Sequence, residues 1–356
     1  MKIGTLSVSP PFGMAPMAGL TDTAFRRLVK KHGGCGLVVS EMVSSEGLVR
    51  GIDRTLEYAE YTEEERPVAI QIFGADPAKM AAAAQIVEAM GADVVDVNMG
   101  CPVPKVAKHA AGCALMRTPE HAATVVRSMT KALKIPVTVK MRAGWNDEEI
   151  NAPLLARMVE DAGASAVTVH GRTAAQAYAG SADWSLIGDV ARSVTIPVLG
   201  SGDCVDAGQL IDLIETAGVS GVLVGRGVLR NPWIFRQAVD LSRGGVAPEA
   251  TRAERGQFLL DYVDLLLAER VEEAAGFRHA ASASAPHQVT DERTAAVARG
   301  RERWVVNKLR ALGSWYTKGL DNGSRLRVAI NAAESVQHLR DVIREFFDAP
   351  DPMAAG

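Results

Sequence analysis

Long apolar runs are missing from this 356-residue chain. Nowhere do apolar residues follow one another for the roughly 18 positions that a transmembrane helix needs, so no membrane span is expected. Phe258 to Ala268, the most apolar helical stretch, is broken by Asp261 and Asp264. The segment Met1 to Gly13 holds a single lysine and no continuous apolar stretch, which argues against a secretory signal. Cysteine is scarce as well. Cys35, Cys101, Cys113 and Cys204 are scattered, with no CxxC pair. That excludes a disulfide-built scaffold, gives no metal site, and suits a reducing cytoplasm. An excess of positive charge is also lacking: the net charge is −3, so any nucleic-acid-binding surface has to be a local patch.

What is there is an ordinary globular composition, 47% hydrophobic and 23% charged, with a strong alternation. From residue 12 to about 240, eight short β-branched runs recur: Phe12–Pro16, Leu37–Ser40, Val68–Phe73, Val94–Val97, Val137–Lys140, Ala166–His170, Val198–Gly200 and Gly221–Gly225. They read as apolar on both faces, as parallel strands covered by helices do. Helix starts are marked at Thr21-Asp22, Asp76-Pro77, Thr118-Pro119 and Asp206. Gly91, Gly163 and Gly218 stand where helices end before the next strand. Eight such units predict an α/β fold, a closed (β/α)8 TIM barrel over residues 1–245, since that architecture takes roughly 250 residues. After Asn231-Pro232-Trp233 the strand pattern stops. Residues 246–356 read as a smaller all-helical domain with helical spacing over 251–272, 292–318 and 334–347. A small, polar insertion near 274–292 interrupts it and reads as flexible.

Active sites of such barrels collect at the C-terminal strand ends. Those ends carry Gln71, then Asn98-Met99-Gly100-Cys101-Pro102, Lys140-Met141-Arg142, His170-Gly171-Arg172, Gly200-Ser201-Gly202-Asp203 and Gly225-Arg226-Gly227. The two glycine-rich turns read either as a phosphate site, with Arg226 adding charge-assisted bonds, or as tight connections only. Lys140 suits the N1/O2 edge of a flavin or a structural ion pair with Asp96. His170 reads as a phosphate or carbonyl ligand, or as a core histidine. Cys101, held in a turn between Gly100 and Pro102, is the cysteine singled out by context, because an ordinary thiol is protonated at neutral pH and can act as an acid.

These motifs, with Ala15-Pro16-Met17-Ala18-Gly19, Gln71-Ile72-Phe73-Gly74 and His170-Gly171-Arg172-Thr173, resemble the bacterial tRNA-dihydrouridine synthases, one motif per strand end. The resemblance implies an enzyme that reduces the C5=C6 bond of uridine in tRNA with bound FMN and NADPH or NADH as the transient reductant. It places Pro16, Met17 and Ala18 along the flavin, Gln71 at its edge and Lys140 at N1/O2. His170, Ser201, Gly202, Asp203, Gly225 and Arg226 fall at the phosphate end. Asn98 and Arg172 are expected at the substrate, and Cys101 as the proton donor to C5. Two positions depart from the family pattern: Ser201 stands where Asn is usual, and Ala174 where many members carry Arg.

The helical tail, including Lys308 and the stretch Trp315-Tyr316-Thr317-Lys318-Gly319, resembles that family's RNA-binding domain, with Lys308 and Lys318 as substrate contacts. Between 299 and 327 eight Lys and Arg residues face only Glu302 and Asp321, with Trp304, Trp315 and Tyr316 interleaved. That is either an RNA-backbone patch or a solvated helix face over a small aromatic core. No obligatory protein partner is evident. Two rival readings remain: an FMN barrel acting on a free small molecule, and a non-catalytic RNA-binding barrel.

Overall fold

The computed structural model describes residues 1–268 and 291–348. The expected insertion near 274–292 lies, apart from its last two residues, outside the described residues. Eight parallel strands form the barrel: β1 (Phe12–Met14), β2 (Leu37–Val39), β3 (Val68–Phe73), β4 (Val94–Met99), β5 (Val137–Arg142), β6 (Ala166–His170), β7 (Val198–Ser201) and β8 (Gly221–Val224). Each pairs with the next, and β8 returns to β1 with Val222 opposite Phe12, closing the ring. The expected TIM barrel is the observed one. A short strand, Val43–Ser44, extends the sheet beside the end of β3.

Local chemistry accounts for the helices between the strands. Asp22, Asp76 and Asp206 cap the helices Thr23–His32, Pro77–Ala89 and Ala207–Ala217, each accepting from a backbone N–H of the first turn. At the opposite ends Gly91, Gly163 and Gly218 take positive φ of 86°, 95° and 65°, where a side chain would be strained.

The strands are not apolar on both faces, as their sequence suggested. Side chains alternate along a strand, so Asp96 and Asn98 of β4 share one face, as do Thr138, Lys140 and Arg142 of β5. Register sets Gln71 opposite Asp96, Asn98 opposite Lys140 and Arg142 opposite His170. This polar face stands above an apolar floor. Leu37, Val39, Ala69, Val94, Ala166, Leu199 and Leu223, most at or near the strand starts, form one buried cluster with Ile3, Val8 and Ala15. Met1 and Leu6, from an N-terminal hairpin (Lys2–Ile3 with Leu6–Ser7) that the sequence did not announce, pack on it. Water is thereby excluded below, and the polar groups are left to face the C-terminal mouth.

The described residues form two compact units, a first of Met1–Val228 with Trp233–Ala247 and a second that includes Leu229–Pro232, 248–268 and 291–348. In the second, helices Arg252–Ala268, Asp291–Tyr316, Gly323–Ala332 and Val336–Asp348 bury Phe258, Leu259, Tyr262, Leu266, Leu309, Leu326, Leu339 and Ile343. Helix Gly323–Ala332 carried no clear signal in the sequence. No helix among the described residues is long and apolar enough to cross a membrane.

Candidate active site

The loop after β4 is fastened on three sides. The Asn98 side-chain oxygen accepts from the backbone N–H of Gly100 (3.2 Å) and Cys101 (3.0 Å). Arg142 Nε donates to the Gly100 carbonyl at 2.8 Å. Cys113 N donates to the Cys101 carbonyl at 3.1 Å. Gly112 makes that last contact possible: it sits at φ 62°, and a Cβ there would come within 2.7 Å of the same carbonyl oxygen. Cys101 itself is half-buried, whereas Cys35, Cys113 and Cys204 are buried. Burial pushes the other three thiols up, to about 11, 11 and 12. They are inert packing groups.

Asn98 is itself oriented by a buried chain. Its Nδ2 donates to Gln71 Oε1 at 2.7 Å, Gln71 Nε2 donates to Asp96 Oδ2 at 2.7 Å, and Thr138 Oγ1 donates to Asp96 Oδ1 at 2.6 Å. A carboxylate accepts only. Asp96 therefore decides which end of the Gln71 amide faces it, Gln71 decides the same for Asn98, and Asn98 presents its oxygen to the cysteine loop. Burial raises the Asp96 pKa, while Gln71, Thr138 and Lys140 oppose the rise. Gln71 was expected at a flavin edge and Asn98 at the substrate base. Gln71 is 1% exposed, and both residues spend each end of the amide on the protein. In this structure each amide is oriented by its protein partners.

Lys140, one step above Asp96 in the lumen, makes no hydrogen bond or ion pair among the described contacts; the expected alternative of a direct pair with Asp96 is absent. Desolvation, with Arg142 alongside, pushes it down to about 8, and Asp96 pulls the other way. His170 is pushed down to about 2 by burial and by Lys140, Arg142, Arg172 and Arg226. It is a neutral imidazole encircled by four cations, an electropositive rim suited to an anion. The turn after β7 wraps that ring: Gly202 has φ 121°, and a Cβ on it would lie 2.9 Å from His170 Cδ2. Ser201 is buried and pairs in register with His170. Gly225 borders open space, since a Cβ there would meet only Met17 Sδ, at 3.9 Å. Exposed Arg226 lies 4.3 Å from the ring centroid of Tyr178.

Two expected ligands turn out to serve each other. Arg172, placed at the substrate by the sequence, is 2% exposed and holds Asp203 through two bonds of 2.9 Å. Two further donors go to the carbonyls of Ala179 and Gly180. Asp203, expected at the cofactor, also accepts from Ala182 N at 2.7 Å. The pair staples the loop after β6 to the turn after β7. Burial, the largest single influence, raises the Asp203 carboxyl, but Arg172, the Ala182 N–H and Arg226 together hold it below the usual carboxylate range. From β1, Pro16 and Met17 are half-buried and Ala18 is exposed. Thr21 Oγ1 fixes their bend through Met17 N (3.0 Å) and Met17 O (3.2 Å). Arg26 holds the Thr21 carbonyl (2.8 Å) and pairs with buried Glu65.

Sequence reasoning passed over Arg142 as a working residue, along with Tyr178 and the exposed Lys105 and Lys108 beside the cysteine loop. Position at a strand end was the available signal for Arg142. In the second unit, Tyr316 is a core residue 6.1 Å from the rings of both Phe258 and Tyr262, not part of a surface patch. Trp304 is exposed beneath Arg301 (4.3 Å) and Lys308 (5.8 Å). Arg301 and Arg310 bond backbone carbonyls, whereas Arg303, Lys318, Arg325 and Arg327 are exposed.

Residues 13–301 match the family described as Dihydrouridine synthase (Dus). The chain is 36% identical over 350 residues to a probable tRNA-dihydrouridine synthase of Rickettsia bellii, covering 98% of each. It is 33% identical over 350 residues to tRNA-dihydrouridine synthase B of Xanthomonas axonopodis pv. citri, covering 98% of this chain and 96% of the other. Among solved structures it is similar in fold to a morphinone reductase mutant in complex with tetrahydroNAD, with a TM-score of 0.51 at 12% identity over 71% of this chain and 92% of that one.

Proposed function

The chain belongs to the dihydrouridine synthase family and reduces uridine in tRNA to dihydrouridine, and we propose that it does so with a bound flavin mononucleotide and with Cys101 as the proton donor. Several features fit a flavin phosphate. Glycine turns follow β7 and β8, neutral His170 stands within the cationic rim, and exposed Arg226, stacked on Tyr178, follows Gly225, which borders open space. Pro16, Met17 and Ala18 line the β1 side of that space. Lys140 supplies positive charge in the lumen where a reduced ring gains negative charge. Once bound there and reduced by NADPH or NADH, a flavin would supply hydride to C6 of uracil.

The residues of the chain do the rest. Hydride at C6 leaves negative charge on C5 and O4. Cys101, held by Asn98, Arg142 and Cys113, gives its proton to C5 from the opposite face. The base has to leave its stack to be reached from both sides, so an unpaired loop uridine is the substrate form. The acid needs a free thiol, which a reducing cytoplasm maintains. Lys308 and Lys318 join the exposed tail cations as tRNA-backbone contacts.

The observation that carries this reading is the three-sided fastening of the one half-buried cysteine at the barrel mouth. Replacing the thiol tests it. Cys101→Ala should lose on the order of 10²- to 10⁴-fold in turnover, yet keep its yellow colour and bind tRNA as the parent does. Full turnover by the Ala variant would refute the acid role, and a colourless parent protein would refute the flavin.

A further inference from the structure

A buried guanidinium normally has an anion beside it, because burying a charge without one is costly. Arg142, the last residue of β5, is 4% exposed and breaks that expectation. Its hydrogen bonds all go to neutral backbone carbonyls: Gly100 at 2.8 Å, Thr173 at 2.9 Å and Ala177 at 3.0 Å. Among the described residues no carboxylate forms an ion pair with it. The groups around it that can become negative are Tyr178, Cys113 and Cys101. Burial depresses its pKa, and those three oppose the fall, but a guanidinium stays charged throughout. The cation is thus held in place with no resident counter-charge, one residue from the thiol that the mechanism turns into an anion.

We propose that Arg142 is the positioning residue for Cys101, and that its fixed, unpaired charge offsets the negative charge left on the sulfur once the proton has gone. The inference rests on the acid role of Cys101 given above. In that step the S–H bond breaks, its proton forms the new C5–H bond with the electron pair of the reduced uracil, and the S–H pair stays on sulfur. Solvent returns the proton after the product leaves. The geometry separates two contributions. The bond to the Gly100 carbonyl sets where the sulfur points, and the charge sets how readily it yields its proton. A link through Thr173 and Ala177 further ties the acid loop to the segment that carries Tyr178, so both sides of the mouth share one anchor.

The test compares Arg142→Gln and Arg142→Lys holoenzymes by two readouts. Iodoacetamide labelling of Cys101, mapped by mass spectrometry across pH, reports the thiol without turnover, and steady-state kinetics with tRNA report kcat and KM. Arg142→Gln should move the labelling profile of Cys101 to higher pH and lower kcat at least tenfold when rates are expressed per bound flavin. Arg142→Lys should keep the labelling profile close to the parent while losing part of kcat, because the charge remains and the Gly100 bond does not. A parental labelling profile in Arg142→Gln overturns the proposal, as does a loss of activity that follows flavin loss or a raised KM alone. Should Arg142→Gln not fold, a Lys variant labelling at the same pH as the parent with reduced kcat supports the proposal, and one with unchanged kcat overturns it. A labelling shift seen together with a fully active Cys101→Ala would instead discard the acid role and leave the electrostatic contact standing.

Discussion

His170 shows how far environment moves a single side chain. Unfolded, an imidazole titrates near 6.5; in the barrel, burial and four surrounding cations hold it at about 2. Between those values the unfolded chain binds the extra proton, so acidification favours unfolding. Stability falls as pH drops below 6.5 and is regained as pH rises toward it. Replacing His170 by Gln removes that proton difference. In urea denaturation of the apoprotein at pH 6.5 and pH 5, the variant should lose less stability than the parent by about 1–2 kcal/mol. Parallel losses would mean that the imidazole is already charged in the fold. In the sequence His170 was a lone histidine at a strand end, readable three ways, because the cations that decide its state come from β5, the β6 loop and the turn after β8. The same applies to Arg172 and Asp203, 31 positions apart. Each looked like a ligand by position, and only the three-dimensional pairing shows that they neutralise one another.

At the scale of the element, the cysteine loop works because its backbone groups are occupied before any substrate arrives. Preorganisation of this kind lets an acid act without first ordering itself. Gly112 is its weakest joint. An Ala there faces a left-handed backbone and would press on the Cys101 carbonyl, 2.7 Å away. Gly112→Ala should lower melting temperature by a few degrees, consistent with a cost of about 1 kcal/mol, and cut turnover about tenfold or more with flavin content intact. Unaltered kinetics would show that the loop tolerates movement. The strands themselves were legible in position but misread in character. Val94–Val97 looked like a buried apolar run, yet its Asp96 and the following Asn98 sit on the lumen face with Gln71 and Thr138. A short apolar run hides its two-residue alternation when only one or two polar residues interrupt it, and register between strands, which assembles the Asp96–Gln71–Asn98 chain, is not written in any single segment. Helix Gly323–Ala332 escaped for another reason. Its start lacks a side-chain cap and its residues are largely charged, small or exposed.

For the molecule as a whole, charge is unevenly spread. The chain is net negative by three, yet residues 299–327 concentrate cations. The structure sorts those cations by availability. Arg301 and Arg310 are tied to the carbonyls of Leu266 and Ala333 within the second unit, and Lys308 leans on Trp304. Arg303, Lys318, Arg325 and Arg327 remain exposed. A backbone contact releases counterions from the nucleic acid, so each lost contact flattens the salt dependence by roughly one in the log–log slope. The double change Arg325→Glu and Arg327→Glu touches exposed side chains, so folding should be little affected. Binding of tRNA, titrated from low to moderate salt, should weaken most at low salt, and the slope should fall by about two. Turnover at saturating tRNA should stay near the parental rate, because the acid loop and the cationic rim lie in the first unit. An unchanged slope would move the RNA surface elsewhere, and the exposed Lys105 and Lys108 beside Cys101 are then the next cations to reverse. A drop in saturated turnover with binding intact would mean instead that the tail steers the uridine into place rather than holding the tRNA.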